Sequence, residues 1–225
     1  MKREDQIKPR GGNVVLAEDY EDGYDTGKVK EILRLGGYKP SSVAEVARER
    51  VKKGMRAYVF NGSGHARECF VHVSSKEIFL TKKSPVLANY QEAMARYHRG
   101  NEFYLSDRQV EEALVDSVKV KGEYGIPFDK IWEDEVGAYL FEDVDSAQAY
   151  GALLERIAKK GAGLNDLWIH LEKRRKKEKP FARQLWFGGV CNFNSWLFGG
   201  LINGTMFGTR MSAEEKRQAG LDATA

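Results

Sequence analysis

Residues 187–209 read FGGVCNFNSWLFGGLINGTMFGT and contain no Lys, Arg, Asp, Glu, Gln or His. The chain as a whole is 31% charged, so a charge-free run of this length marks a distinct region. Gly188, Gly189, Gly199, Gly200, Gly204 and Gly208, together with Asn192, Asn194 and Asn203, tolerate positive φ and break any helical or strand period. The stretch reads as looped β structure. Its apolar residues Phe193, Leu197, Phe198, Leu201, Ile202 and Phe207 are interleaved with amides and hydroxyls that cannot all be buried without partners. Two readings stand. One is a buried hairpin with glycines at close backbone approaches; the other is an exposed, uncharged contact surface carried by a rigid scaffold.

The remainder of the chain bounds what that region serves. A length of 225 residues suits one ordinary domain, or one with a small appendage, and excludes a multi-domain assembly. With 42% hydrophobic residues a chain of this size can bury roughly 70% of the surface it exposes when unfolded, which excludes wholesale disorder. Lys+Arg at 36 against Asp+Glu at 33 gives a net charge of +3, so no global field draws in nucleic acid or an anionic membrane. Two cysteines, Cys69 and Cys191, neither build a disulfide scaffold nor show a zinc-ribbon spacing, and a reduced or redox-indifferent setting is expected. Residues 1–10 are charged and lack the apolar run of a secretory signal, so a cytoplasmic location is the default expectation, with surface display by another route left open. The longest apolar-plus-glycine run, Trp196 to Ile202, falls far short of the about 20 residues of a membrane helix, so no membrane span is expected.

Residues 1–40 read as a polar N-terminal arm ahead of a single domain at 41–225. The acidic cluster Glu18, Asp19, Glu21, Asp22 and Asp25 fails the calcium-loop template, since the third position from Glu18 is Tyr20 and the twelfth is Val29. From Ser41 or Ser42, with Glu45 three residues after Ser42 and Val43, Val46, Ala47 and Val51 at helical spacing, a capped helix is expected up to Gly54. Arg56 to Phe60, Glu68 to Val73 and Glu77 to Thr81 read as a β-meander. Pro85 opens a helix to about Arg99, Glu102 to Leu105 a short strand, Ser106 or Asp107 caps a helix to Val118, Gly137 to Phe141 is a strand, and Asp145 or Ser146 opens a helix to Lys160. Strands and helices that do not strictly alternate point to an α+β fold.

Rival chemistries are weak. His65, Cys69 and His72 fall within eight residues, but Cys69 and His72 differ by an odd number and face opposite ways on a strand. Gly62-Ser63-Gly64-His65 lacks the lysine and the following helix of a phosphate loop. Cys191 as a nucleophile needs a base, for which only His98 or His170 offer themselves. No catalytic residue, metal or cofactor is therefore expected. Lys173-Arg174-Arg175-Lys176-Lys177-Glu178-Lys179 provides an alternative function, a nucleic-acid-associated protein gripping phosphates; the absence of interleaved aromatics and the following Pro180 favour a solvated loop or helix end.

The run Lys179-Pro180-Phe181-Ala182-Arg183-Gln184-Leu185-Trp186-Phe187, the Gly/Asn/Ser-rich stretch after it and Phe207-Gly208-Thr209-Arg210 resemble the C-terminus of variable proteins of diversity-generating retroelements from archaea and candidate-phylum bacteria. Ile126-Pro127, Tyr139-Leu140-Phe141 and Ala149-Tyr150-Gly151 extend the likeness over roughly residues 100 to 211, while the ending at Met206 to Arg210 matches only in part and a polar tail from Ser212 follows. The resemblance implies an α+β, C-type lectin-like fold with short antiparallel strands, several helices and a loop-rich variable region at about 187–209. It implies a non-enzymatic protein that presents a diversified surface to an unknown protein or glycan. In that family template adenines are miscopied, chiefly at AAC or AAT codons, which never yields Trp, Met, Lys, Gln or Glu. Trp196 and Met206 would then be scaffold. The implied ligand-binding residues are Val190, Cys191, Asn192, Phe193, Asn194, Ser195, Leu197, Phe198, Leu201, Asn203 and Thr205. The fold also serves calcium-dependent lectins and formylglycine-generating oxidases; the segment has no carboxylate for the first, and Cys69 with Cys191 is the sole cysteine pair for the second.

Overall fold

The computed structural model describes residues 7–8, 13–18, 29–54, 64–162, 165–171, 179–188, 192–194 and 205–221. A mixed sheet runs through the molecule in the order β1 (Ile7–Lys8), β2 (Val14–Glu18), β12 (Thr205–Arg210), β4 (Gly64–His72), β10 (Phe181–Gly188), β11 (Asn192–Asn194), β9 (Asp166–His170), β8 (Tyr124–Pro127). Side branches add β3 (Tyr38–Pro40) on β12, β6 (Phe103–Tyr104) on β10, and β5 (Ile78–Thr81) on β4, with β7 (Ser117–Val120) beyond β5. The β11–β9 and β12–β4 pairs are parallel.

Helices cover both faces of one half of this sheet. On the first face α2 (Val43–Lys53), α6 (Glu135–Phe141) and α7 (Val144–Ile157) bury Val46, Leu140, Phe141, Tyr150 and Leu154 against Leu16, Phe70, Leu185, Phe187 and Phe207. On the second, α1 (Val29–Leu35), α3 (Pro85–Ala88), α4 (Tyr90–His98) and α5 (Asp107–Leu114) bury Leu33, Val86, Tyr97 and Ala113 against Val15, Ala17, Cys69, Val71 and Met206. Strand parity sorts the residues, since Val14 and Leu16 join the first core and Val15 and Ala17 the second. The first core continues along the sheet through Phe193, Ile169, Leu167 and Ile126, whereas the second contains no described residue of β11, β9 or β8.

Several sequence expectations meet their structure directly. Ser42 Oγ accepts the Glu45 N–H at 3.1 Å and Glu45 Oε2 accepts the Ser42 N–H at 2.8 Å, so α2 starts with the expected capping box. β4 and β5 form an antiparallel hairpin, while the run at 56–60 lies outside the described residues. Others are corrected. The expected polar arm at 1–40 supplies β2, whose Val14–Ala17 are buried beside β12, and α1, whose Val29 and Leu33 are fully buried. A strand enclosed on both faces needs only four apolar residues, and these were diluted by the polar residues flanking them. The expected strand at Gly137–Phe141 is helical, because Asp134 Oδ1 caps the Val136 and Gly137 N–H groups at 2.9 and 3.0 Å. Gly137 lets that helix approach the chain before it, since a Cβ there would lie 2.0 Å from the Ile131 carbonyl oxygen. The helix from Pro85 breaks into α3 and α4 at Asn89, whose Nδ2 donates to the Pro85 carbonyl at 3.1 Å. The helix after Ser106 ends at Leu114, so that Ser117–Val120 can pair with β5. α7 is capped by Asp143 and closes in a π-helical turn, Ala158–Ala162.

Candidate recognition surface

The uncharged region leaves the sheet at the end of β10, returns as β11 and returns again as β12. Antiparallel pairing sets Phe187 opposite Phe193 and Gly188 opposite Asn192, and parallel pairing sets Asn192 opposite Trp168 and Phe193 opposite Ile169. Gly125 of β8 faces Trp168. Gly125, Trp168, Asn192 and Gly188 thus form one row across four strands, on the face that the second helical layer does not reach.

The expectation that Phe193 belongs to the contact surface is corrected. It has 0% exposure and its ring lies 4.7 Å from that of Phe187, because its parity on β11 sends it into the first core. Asn192, one residue earlier, is half-buried on the other face. Asn194 occupies the register position opposite Trp186 and His170, and Thr205 the one opposite Glu18. Val190, Cys191, Ser195, Leu197, Phe198, Leu201 and Asn203 lie outside the described residues. Met206 is buried in the second core and Phe207 in the first.

Below the row is a rigid base. Arg50 of α2 has 0% exposure; its Cζ sits 4.0 Å from the Phe187 ring centroid and 5.7 Å from that of Phe207, and its Nη1 donates to Tyr150 Oη at 3.0 Å. A guanidinium stacked this way ties together the strand entering the uncharged segment and the strand leaving it.

Above the row, the structure contributes Trp168, which sequence reasoning missed, and sets beside it His170, which the sequence offered only as a possible base. In Asp166-Leu167-Trp168-Ile169-His170, Leu167 and Ile169 are fully buried, and Trp168, 41% exposed, points away from them. The His170 ring lies 5.7 Å from that of Trp168 at an interplanar angle of 20°. Glu123 Oε1 is 4.0 Å from His170 Nδ1 and accepts the Leu171 N–H at 3.2 Å. The five-residue alternation was the available signal, and a run of three apolar residues at its centre concealed it.

The rival sites have little reactive geometry. Cys69 is fully buried, and burial pushes its thiol up to about 12, which keeps it protonated. His72 stacks on Phe181 at 4.3 Å, and His65 meets Trp186 edge-on at 5.1 Å. Among the described residues no three metal-binding side chains gather. Of the basic run, residues 173–178 lie outside the described residues. No described helix is long and apolar enough to cross a membrane.

No protein-family model and no curated protein matches the chain. Its fold matches a solved structure from work on the accommodation of massive sequence variation in Nanoarchaeota by the C-type lectin fold. The TM-score is 0.57 with 14% identity, over 90% of this chain and 95% of the other. The chain has a C-type lectin fold, with the mixed helices and strands of an α+β protein.

Proposed function

We propose that this is a non-enzymatic ligand-binding protein, a variable protein of a diversity-generating retroelement, whose recognition surface is the uncharged segment together with the face of β11 and β9 that no described helix covers. The observation that carries this reading is the division of labour on one strand: Phe193 is locked against Phe187 in the core while Asn192 stands on the open face beside Trp168. Side chains on the open face can change without creating a cavity, and an ordered backbone loses little entropy on binding. The similar solved structure concerns variation carried by the same fold, and the sequence from Phe187 to Thr209 contains no Lys, Gln or Glu, residues that adenine miscopying at AAC or AAT codons does not yield, with Trp196 and Met206 as its fixed positions.

Two observations test the proposal. Beside a reverse-transcriptase gene there should be a near-copy of the codons for residues 187–209, differing mainly at adenines and encoding Phe at 187, 193 and 207 in both copies. A library randomised at Val190, Asn192, Asn194, Leu197 and Asn203 should yield binders to unrelated proteins, melting within about 5 °C of the parent. Members that mostly unfold, or a folded library with no binders, would overturn it.

A further inference from the structure

We propose that Trp168 and Asp166 form a fixed seat for a guanidinium, the arginine side chain of a protein bound at this surface. The inference rests on the recognition surface proposed above and names a chemical group that it takes. Asp166 lies two residues before Trp168 on β9, on the same face, and its carboxylate leans across toward β8. A Cβ on Gly125 would lie 2.7 Å from Asp166 Cβ and 2.9 Å from Asp166 Oδ2. Gly125 is also the cross-strand partner of Trp168. The missing side chain at Gly125 therefore leaves the space that the Asp166 carboxylate occupies, at the position directly across from Trp168. Among the described residues no hydrogen bond or ion pair engages that carboxylate.

Among the described strands of this face the charge is one-sided. β8, β9 and β11 contain no lysine or arginine. On the other side of Trp168, the nearly parallel ring of His170 stands next to the second carboxylate, Glu123. An exposed π-face bracketed by carboxylates is complementary to a cation that is flat and weakly hydrated. A guanidinium meets both demands at once, stacking on the indole while its fork pairs with Asp166. A compact ammonium cannot do both as well, and a neutral pyranose stacked on Trp168 would leave Asp166 without a charge partner. Because β9 precedes the uncharged segment, the seat is constant while the neighbouring positions vary. It would give each variant the same anchoring contact beside a different specificity surface.

The test is an NMR titration of the full chain with capped Gly-Arg-Gly, its citrulline analogue and Gly-Lys-Gly, following the Trp168 indole N–H, which is assigned by its loss in Trp168→Phe. The arginine peptide should shift that signal saturably at millimolar concentration, and the citrulline peptide should bind about tenfold more weakly. The lysine peptide should fall between them. Asp166→Asn should weaken the arginine peptide about fivefold, and Trp168→Ala should abolish its effect on neighbouring β9 amides, with a melting temperature within about 4 °C of the parent in each. Salt at 0.5 M should weaken it severalfold. Equal binding of the citrulline or lysine peptide, or indifference to Asp166→Asn, would overturn the assignment. So would saturable binding of a neutral oligosaccharide at Trp168 where the arginine peptide fails. Library members that bind their targets while the peptide fails would remove the seat and leave the recognition surface standing.

Discussion

The two ends of the sheet use the same kind of strand and differ in what lies over them. From β2 through β12 and β4 into β10, helices cover both faces, and successive residues enter different cores, as Met206 and Phe207 do. From β11 to β8 the described cover is on one face only. Phe193, Ile169 and Ile126 are buried, while Asn192, Trp168 and Gly125 share the opposite row. In the doubly covered end a strand is all frame. In the singly covered end frame and surface alternate residue by residue, so the surface proposed for recognition needs no separate domain.

The largest effect expected from this difference comes from two aromatic residues in adjacent strands. Phe193→Ala should cost about 3–5 kcal/mol in chemical denaturation, because the void opens beneath Phe187. Trp168→Ala removes a bigger ring and should cost under about 1 kcal/mol, because that residue is 41% exposed and stands on the face away from the core. Similar losses for the two would erase the distinction between the faces.

A second contrast concerns charge within the doubly covered end. Glu68 of β4 is fully buried; its Oε2 accepts the Val43 N–H at 3.1 Å and its Oε1 lies 3.6 Å from Arg67 Nη2. Desolvation pushes its carboxyl up to about 7, against the partial opposition of Arg67. The folded value lies above the unfolded 4.5, so between these two values the native state holds a proton that the unfolded chain has released. Stability should therefore fall as pH rises from about 4.5 to 7, by about 3 kcal/mol at most. Glu68→Gln should flatten that slope and raise the melting temperature at pH 8. Melts across pH 4.5–8 that show the same slope in both proteins would assign the pH dependence elsewhere.

Much of the frame was legible because its signals are local. The Ser42–Glu45 box and Pro85 depend on backbone groups within one turn, and the structure realises both. What was not legible depended on the partner. Val14–Ala17 look like a minor apolar patch until β12 and two helical layers enclose them. Gly137–Phe141 alternates well enough for a strand, and only the Asp134 cap and the close approach to Ile131 decide for a helix. The candidate surface was half legible for the same reason. The absence of charge located the segment, but parity on β11, set by pairing with β10 and β9, decides that Asn192 is surface and Phe193 is frame. Trp168 escaped notice because hydrophobicity alone does not distinguish a buried indole from an exposed one.

The division between frame and surface is tested most directly by urea denaturation of one triple variant, Asn192→Ser, Asn194→Tyr and Leu201→Ser, with Phe193 intact. A loss of less than about 1 kcal/mol is expected, with an unchanged m value. A loss of about 3 kcal/mol or more would place these side chains in the core and contradict a surface that varies on a constant frame.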